Sequence, residues 1–133
     1  LMERKRIFSG SGGEERVGYC RAIVLPDLSG DWVMVSGTTG FDYKLGTISA
    51  DPTEQARQTL RNIGTALDEA GATFNDIYFY RAYFRDSKVW EAVIPVLAEH
   101  FSSIKPATTG IIAPAMESEI LIEIEVEARK PGV

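Results

Sequence analysis

The stretch Ile77-Tyr78-Phe79-Tyr80-Arg81-Ala82-Tyr83-Phe84 decides the architecture of this chain. Its aromatic and branched residues predict a strand. Strand alternation then places Ile77, Phe79 and Tyr83 on one face and Tyr78, Tyr80, Ala82 and Phe84 on the other. Both faces are largely apolar, so both need cover. Upstream, Asp51-Pro52-Thr53-Glu54 opens a helix: Asp51 can cap it, Pro52 suits its first position, and Glu54 stands where a capping box wants a carboxylate. Ala56, Leu60, Ile63, Leu67 and Ala70 then form one apolar face, and Gly71 supplies a left-handed end. Downstream, a second helix is predicted from Ser87 or Lys88 to Phe101, with Trp90, Ile94, Leu97 and Phe101 inward. Pro95 falls inside it and predicts a kink or a later start.

Working outward, strands are predicted at 4–8, 19–25, 32–35, 108–113 and 119–128, the second and third forming a hairpin around the turn at 26–31. Residues 9–13, Ser-Gly-Ser-Gly-Gly, read as the most flexible segment. The last strand alternates Ile120, Ile122, Ile124 and Val126 against Leu121, Glu123, Glu125 and Glu127. The order β-β-β-α-β-α-β-β predicts an α+β fold: a mixed sheet with two helices packed on one face. No third helix remains for the other face, and the simplest cover for it is another copy of the chain.

Composition bounds the function. The chain has 133 residues, 44% hydrophobic and 25% charged, with 14 Lys and Arg against 19 Asp and Glu, a net charge of -5. This fits one domain over residues 1–133, able to build a core without disulfides or a structural metal. The acidic balance argues against sequence-independent nucleic-acid binding, which needs clustered cations. Cys20 is the only cysteine, so neither an intramolecular disulfide nor a Cys-rich zinc site can form. His100 is the only histidine, which excludes chemistry that needs a histidine pair. No apolar run approaches the roughly 20 residues that span a bilayer. The charged segment 3–6 has no apolar signal core behind it, so the expected location is the cytoplasm, with no membrane partner. Leu1 ahead of Met2 is read as extraneous.

Several residues are candidates for chemistry. Arg21 beside Cys20 could lower the thiol pKa, although a free cysteine more often packs as a small hydrophobe. His100 near a helix C-terminus suits a capping role. Glu119, Glu123, Glu125 and Glu127 crowd one strand; they form either a solvent face partnered by Arg81 or Arg85, or a group of which one lines a pocket and handles protons. Ser36-Gly37-Thr38-Thr39-Gly40 ends a strand in small residues whose amides can cradle an oxyanion, but it lacks the lysine and spacing of a nucleotide loop.

Taken together, Gly18-Tyr19, Val35-Ser36-Gly37-Thr38, the helix segment 54–63, Ala70-Gly71-Ala72 with Asp76-Ile77, Pro106-Ala107-Thr108-Thr109, and Ile122-Glu123-Ile124-Glu125 resemble the Rid family, also called YjgF or L-PSP. The likeness runs from about Gly18 to Ala128. It implies a chorismate-mutase-like fold assembled as a homotrimer, with sheets facing a central barrel and clefts between subunits. It further implies hydrolysis of reactive enamines or imines to a keto acid and ammonia, with no cofactor and no metal. By the resemblance, Glu123 is the catalytic residue that positions or activates water, and Tyr19, Ser36 and Gly37 complete the substrate pocket. Where such members carry an arginine that grips the substrate carboxylate, this chain has Thr108, which leaves charge to come from Arg21 or Arg81; Ile94 stands where deaminating members often carry asparagine. The substrate is therefore expected to diverge. A non-catalytic trimer that binds a small metabolite is the alternative. Ribonuclease activity, the older family label, fits the acidic charge and the single histidine poorly.

Overall fold

The structure is a computed structural model that describes residues 3–132, so Leu1 and Met2, where the reading of an extraneous start falls, lie outside it. The elements are β1 (Lys5–Ile7), α1 (Gly12–Val17), β2 (Ala22–Leu25), β3 (Gly30–Thr38), β4 (Phe41–Asp42), β5 (Thr47–Ile48), α2 (Pro52–Glu69), β6 (Ile77–Phe84), α3 (Ser87–Phe101), β7 (Ala107–Ile112) and β8 (Ile122–Pro131). Six strands form one mixed sheet in the order β1-β2-β3-β8-β6-β7, and β4 and β5 make a separate small hairpin. All pairs in the large sheet are antiparallel except β6 with β7, which α3 joins by the crossover that a parallel pair requires. Among the described residues, no helix is long and apolar enough to cross a membrane.

The first long helix follows its sequence signals. The Asp51 carboxylate accepts from the Glu54 amide at 3.0 Å, and Pro52 takes the first turn. Ala56, Leu60, Ile63, Leu67 and Ala70 are all buried. Gly71 adopts φ +79° beyond the helix end, as a left-handed cap requires. Three polar residues on the same helix are also buried and satisfied. Gln55 donates to Ser49 O and Glu119 O at 2.7 Å and accepts from the Leu121 amide at 3.0 Å. Asn62 donates to Thr39 O at 2.9 Å and Phe41 O at 2.8 Å. Thr59 donates to Gln55 O. The helix thereby grips the approach to β8 and the exit from β3, the two strands that build the cleft described below.

Several expectations change. Residues 9–13 are not uniformly loose, because α1 begins within them at Gly12. The second long helix starts at Ser87 and runs through Pro95, so no later start is needed; Asp86 caps it through the Val89 amide at 2.9 Å. Its inward face is Val89, Val93, Val96, Leu97 and Phe101, while Trp90 and Ile94 are exposed. Two stripes of helical spacing overlap there, and the branched valines take the sheet. Along β6, Ile77 opposes Ala128 while Phe79 opposes Glu127, so the ladder is irregular at Tyr78. Ile77 consequently joins Tyr80, Ala82 and Phe84 on the buried side, and Tyr78 is exposed. The other face of β6, carrying Phe79, Arg81 and Tyr83, is half-buried and mixed rather than apolar. Finally, Glu119 lies in a turn ahead of β8 and does not share the strand face of Glu123, Glu125 and Glu127.

Candidate functional site

The local event that makes the site is a bulge in β3. Val35 opposes Val126 and Thr38 opposes Ile124, so Ser36 and Gly37 together face Glu125. An extra residue of this kind bends a strand and re-aims its side chains. Ser36 is fixed by donating its hydroxyl to Cys20 O at 2.7 Å and its amide to Arg21 O at 2.8 Å. Gly37 is needed for space: a Cβ built on it would stand 2.1 Å from Glu123 Oε2. The carboxylate of Glu123 therefore lies where a side chain at position 37 would be.

A cleft of about 830 Å³ opens over this bulge, lined among others by Gly13, Tyr19, Ser36, Gly37, Ile120 and Glu123. Glu123 is half-buried, and among the described residues it has no hydrogen-bonding or ionic partner, in contrast to Glu125 and Glu127. Burial raises its pKa above the ordinary carboxylate range; the Arg21 charge opposes the rise and Glu125 adds to it. A carboxyl so placed is suited to take and return a proton.

The second wall is α1. Glu14 points inward and is almost fully buried, accepting from the Ser9 amide at 3.0 Å, from the Ser9 hydroxyl, and from Arg21 Nε at 3.1 Å. Burial alone would raise the Glu14 pKa, but the bonds from Ser9 and Arg21 outweigh it and hold the carboxyl below its ordinary value. Gly18, at φ +96°, ends the helix, and the amides of Gly18 and Tyr19 both donate to Glu14 O. Tyr19 is thereby delivered to the cleft with its ring under the Arg21 guanidinium, 5.5 Å from the centroid. Tyr43 enters from the loop between β4 and β5; burial raises its pKa, with Arg21 acting against the rise.

Four of the five residues expected in the pocket thus meet: Tyr19, Ser36, Gly37 and Glu123. Thr108 is not with them in one protomer. It is exposed on β7, beyond β6, in a separate groove of about 390 Å³ with Tyr80, Phe84, Trp90 and Ile112. Arg81 pairs with Glu125 at 3.2 Å, and Tyr83 donates to the same carboxylate at 2.6 Å, so Arg81 belongs to the open sheet face. Cys20 is half-exposed and its carbonyl serves Ser36. His100 Nδ1 lies 3.0 Å from Val96 O in the last turn of α3, away from the cleft. Among the described residues, no group of three or more His, Cys, Asp or Glu could hold a metal ion. The members that sequence reasoning missed are Glu14 and Tyr43. Glu14 sits in an unremarkable Gly-Gly-Glu-Glu run, and only the folded chain brings it to Arg21.

Comparisons with known proteins converge. The family model described as endoribonuclease L-PSP matches residues 14–130. The uncharacterized protein SCO2049 of Streptomyces coelicolor is 32% identical over 130 residues, covering 97% of this chain and 94% of that protein. The crystal structure of Rv2704 from Mycobacterium tuberculosis, of the YjgF/YER057c/UK114 family, matches with a TM-score of 0.83 at 36% identity, over 96% of this chain and 99% of that one. YyfA from Yersinia pestis, of the conserved Rid protein family, matches with a TM-score of 0.82 at 25% identity, over 96% and 99%.

Proposed function

The chain belongs to the endoribonuclease L-PSP family, the YjgF/Rid family of its structural relatives, and from that premise we propose that it is a cofactor-independent hydrolase of a small enamine, imine or related metabolite. The observation that carries the reading is Glu123: a half-buried carboxyl without a partner, its pKa raised by burial, facing a cleft beside the side-chain-free Gly37. In its protonated form it can protonate an enamine carbon or imine nitrogen. In its ionised form it can take a proton from the water that adds to the C=N carbon. Collapse of the resulting carbinolamine breaks the C–N bond and releases ammonia and a carbonyl product. Tyr19, Ser36 and Gly37 shape the pocket, and the turnover needs no metal.

In this proposal the working unit is a homotrimer, in which a neighbouring copy brings its Thr108 to the cleft that Glu123 lines. Support comes from the separation of Thr108 from Glu123 in one protomer and from the exposed Trp32, Met34 and Tyr78, apolar groups that a second copy would cover. Thr108 offers a hydroxyl and no charge, which favours a substrate without the carboxylate of an amino-acid-derived imine. Ammonia release from dehydratase-generated 2-aminoacrylate and 2-iminobutanoate, and from neutral imines, tests the reading. Turnover of at least one of them, falling about 100-fold or more in Glu123→Gln, is expected. No release above background by a folded trimer would sink it.

Thr108 also favours a second reading, a trimer that binds a neutral metabolite without turnover. Thr108→Arg separates the two. On the hydrolase reading it confers or raises activity toward 2-aminoacrylate, whereas a folded and inert variant favours binding alone.

A further inference from the structure

Among the described residues, Arg21 is the one cation buried in the molecule, with 4% of its surface exposed. It occupies the point where the cleft walls meet. Its Nε donates to Glu14 on α1 at 3.1 Å. One terminal nitrogen donates to Gly37 O at 2.6 Å and to Thr38 Oγ1 at 3.1 Å, both at the β3 bulge. The other lies 3.4 Å from the Tyr19 hydroxyl. Thr38 closes a ring by donating to Ser36 O at 2.7 Å, and the Arg21 carbonyl accepts the Ser36 amide at 2.8 Å. Three of the five guanidinium hydrogens are committed to good bonds, and Glu14 balances the charge. Little is left with which to grip a substrate anion.

We propose that Arg21 is the positioning residue of the cleft: a single planar guanidinium locks the α1 wall to the Ser36–Gly37 bulge, and so presents Glu123 to a preformed pocket while setting the charge it feels. Its catalytic meaning rests on the hydrolytic reading above, but the clamp itself does not. A lysine could keep the charge but not the fork, because its ammonium cannot serve three directions from that stem. The electrostatic half of the role follows from geometry: the guanidinium bonds the Gly37 carbonyl at 2.6 Å, and the Glu123 carboxylate fills the space at Gly37, where a Cβ would stand 2.1 Å from its Oε2. Arg21 favours the ionised form of Glu123, Glu125 on the same strand disfavours it, and Tyr19, Tyr43, Arg16, Asp42 and Glu117 complete the titratable and charged lining of the cleft.

Two measurements on the full chain test this without any assay of turnover. The first follows the side-chain carboxyl of Glu123 by carbon-13 NMR through a pH titration. In Arg21→Gln its midpoint is expected to rise, because an attractive charge is lost. If the residue merely supported the fold, the loosened cleft would let water reach Glu123 and the midpoint would fall. A fall, or no movement, in a folded variant overturns the proposal. The second is hydrogen exchange in Arg21→Lys. The amides of Gly18, Tyr19 and Ser36 should speed up together, by about tenfold, because one clamp holds both walls. Acceleration of only one wall, or of neither, overturns the clamp. Should Arg21→Gln fail to fold, the exchange result decides alone. If ammonia release is never observed yet both results hold, the hydrolytic reading fails and the positioning role stands.

Discussion

Glu123 and Glu125 stand two residues apart on the same face of β8, yet the fold surrounds them differently. Glu125 is held by Arg81 at 3.2 Å and by the Tyr83 hydroxyl at 2.6 Å, on a sheet face from which Trp32, Met34 and Tyr78 also project. Glu123 lies beside the bulge, with no side chain at position 37 and no partner of its own among the described residues. The strand sets both carboxylates in place; the side chains that reach each one decide what it can do. A paired carboxylate is occupied. An unpaired one beside a glycine, with its charged form disfavoured by burial, is chemically available.

The sharpest way to break this contrast is to fill the space at position 37. In Gly37→Ala the new Cβ would lie 2.1 Å from Glu123 Oε2, and the carboxylate, as the end of a flexible side chain, must swing away. Catalysis on the proposed reading should fall about 100-fold, the scale at which a misplaced catalytic group is penalised. The melting temperature should change little. Gly40→Ala is the matched control: its Cβ would meet the Gln55 carbonyl oxygen at 2.6 Å and the Gln55 Cα at 3.0 Å, rigid backbone of α2 that cannot give way. That variant should lose about 1–3 kcal/mol of stability, read by chemical denaturation. Equal effects of the two substitutions on stability would remove the distinction drawn here between a functional glycine and a packing one.

The same contrast explains how much was legible in the sequence. The first long helix could be read to its ends, because its cap, its stripe and its terminal glycine are all local signals that agree. Tyr19, Ser36, Gly37 and Glu123 were reached through ordered motifs rather than through spacing, since nothing local distinguishes Glu123 from Glu125. What escaped was non-local. The helix α1 has two glycines in its first turn and no side-chain cap, and it is held by the burial of Glu14 against Arg21. The irregularity at Tyr78 depends on register with β8, so alternation alone assigned Ile77 and Tyr78 to the wrong faces. In α3, Trp90 and Ile94 satisfy helical spacing as well as Val89 and Val93 do, and only the sheet beneath selects the valines.

A smaller effect should appear in the pH dependence of stability. The folded-state pKa of Glu123 lies above the ordinary glutamate value of 4.5, so its favourable contribution is complete below that value and is lost as pH rises through the raised one. Glu14 behaves oppositely: its pKa is lowered, so its contribution is present above 4.5 and is lost as pH falls through the lowered value. Glu123→Gln, which removes the cost of ionising the group, should therefore melt higher than the wild type at pH 7, by a few degrees, and converge with it below pH 4.5. Melting curves over this range check the sign. A variant that is less stable at pH 7 would mean that Glu123 has a stabilising partner in the assembled protein.

The smallest change tests the other half of the pair. Glu125→Gln keeps an acceptor for Tyr83 and loses only a half-exposed ion pair with Arg81, which solvent screens. Stability should barely shift. The useful reading is at the neighbour. Glu125 adds to the raised pKa of Glu123, so removing its charge should lower the Glu123 midpoint, while Arg21→Gln raises it. Opposite movements on removing two charges of opposite sign are what through-space interaction requires. A common direction would point to a change in the packing around Glu123 and would return the contrast between the two glutamates to a difference in burial alone.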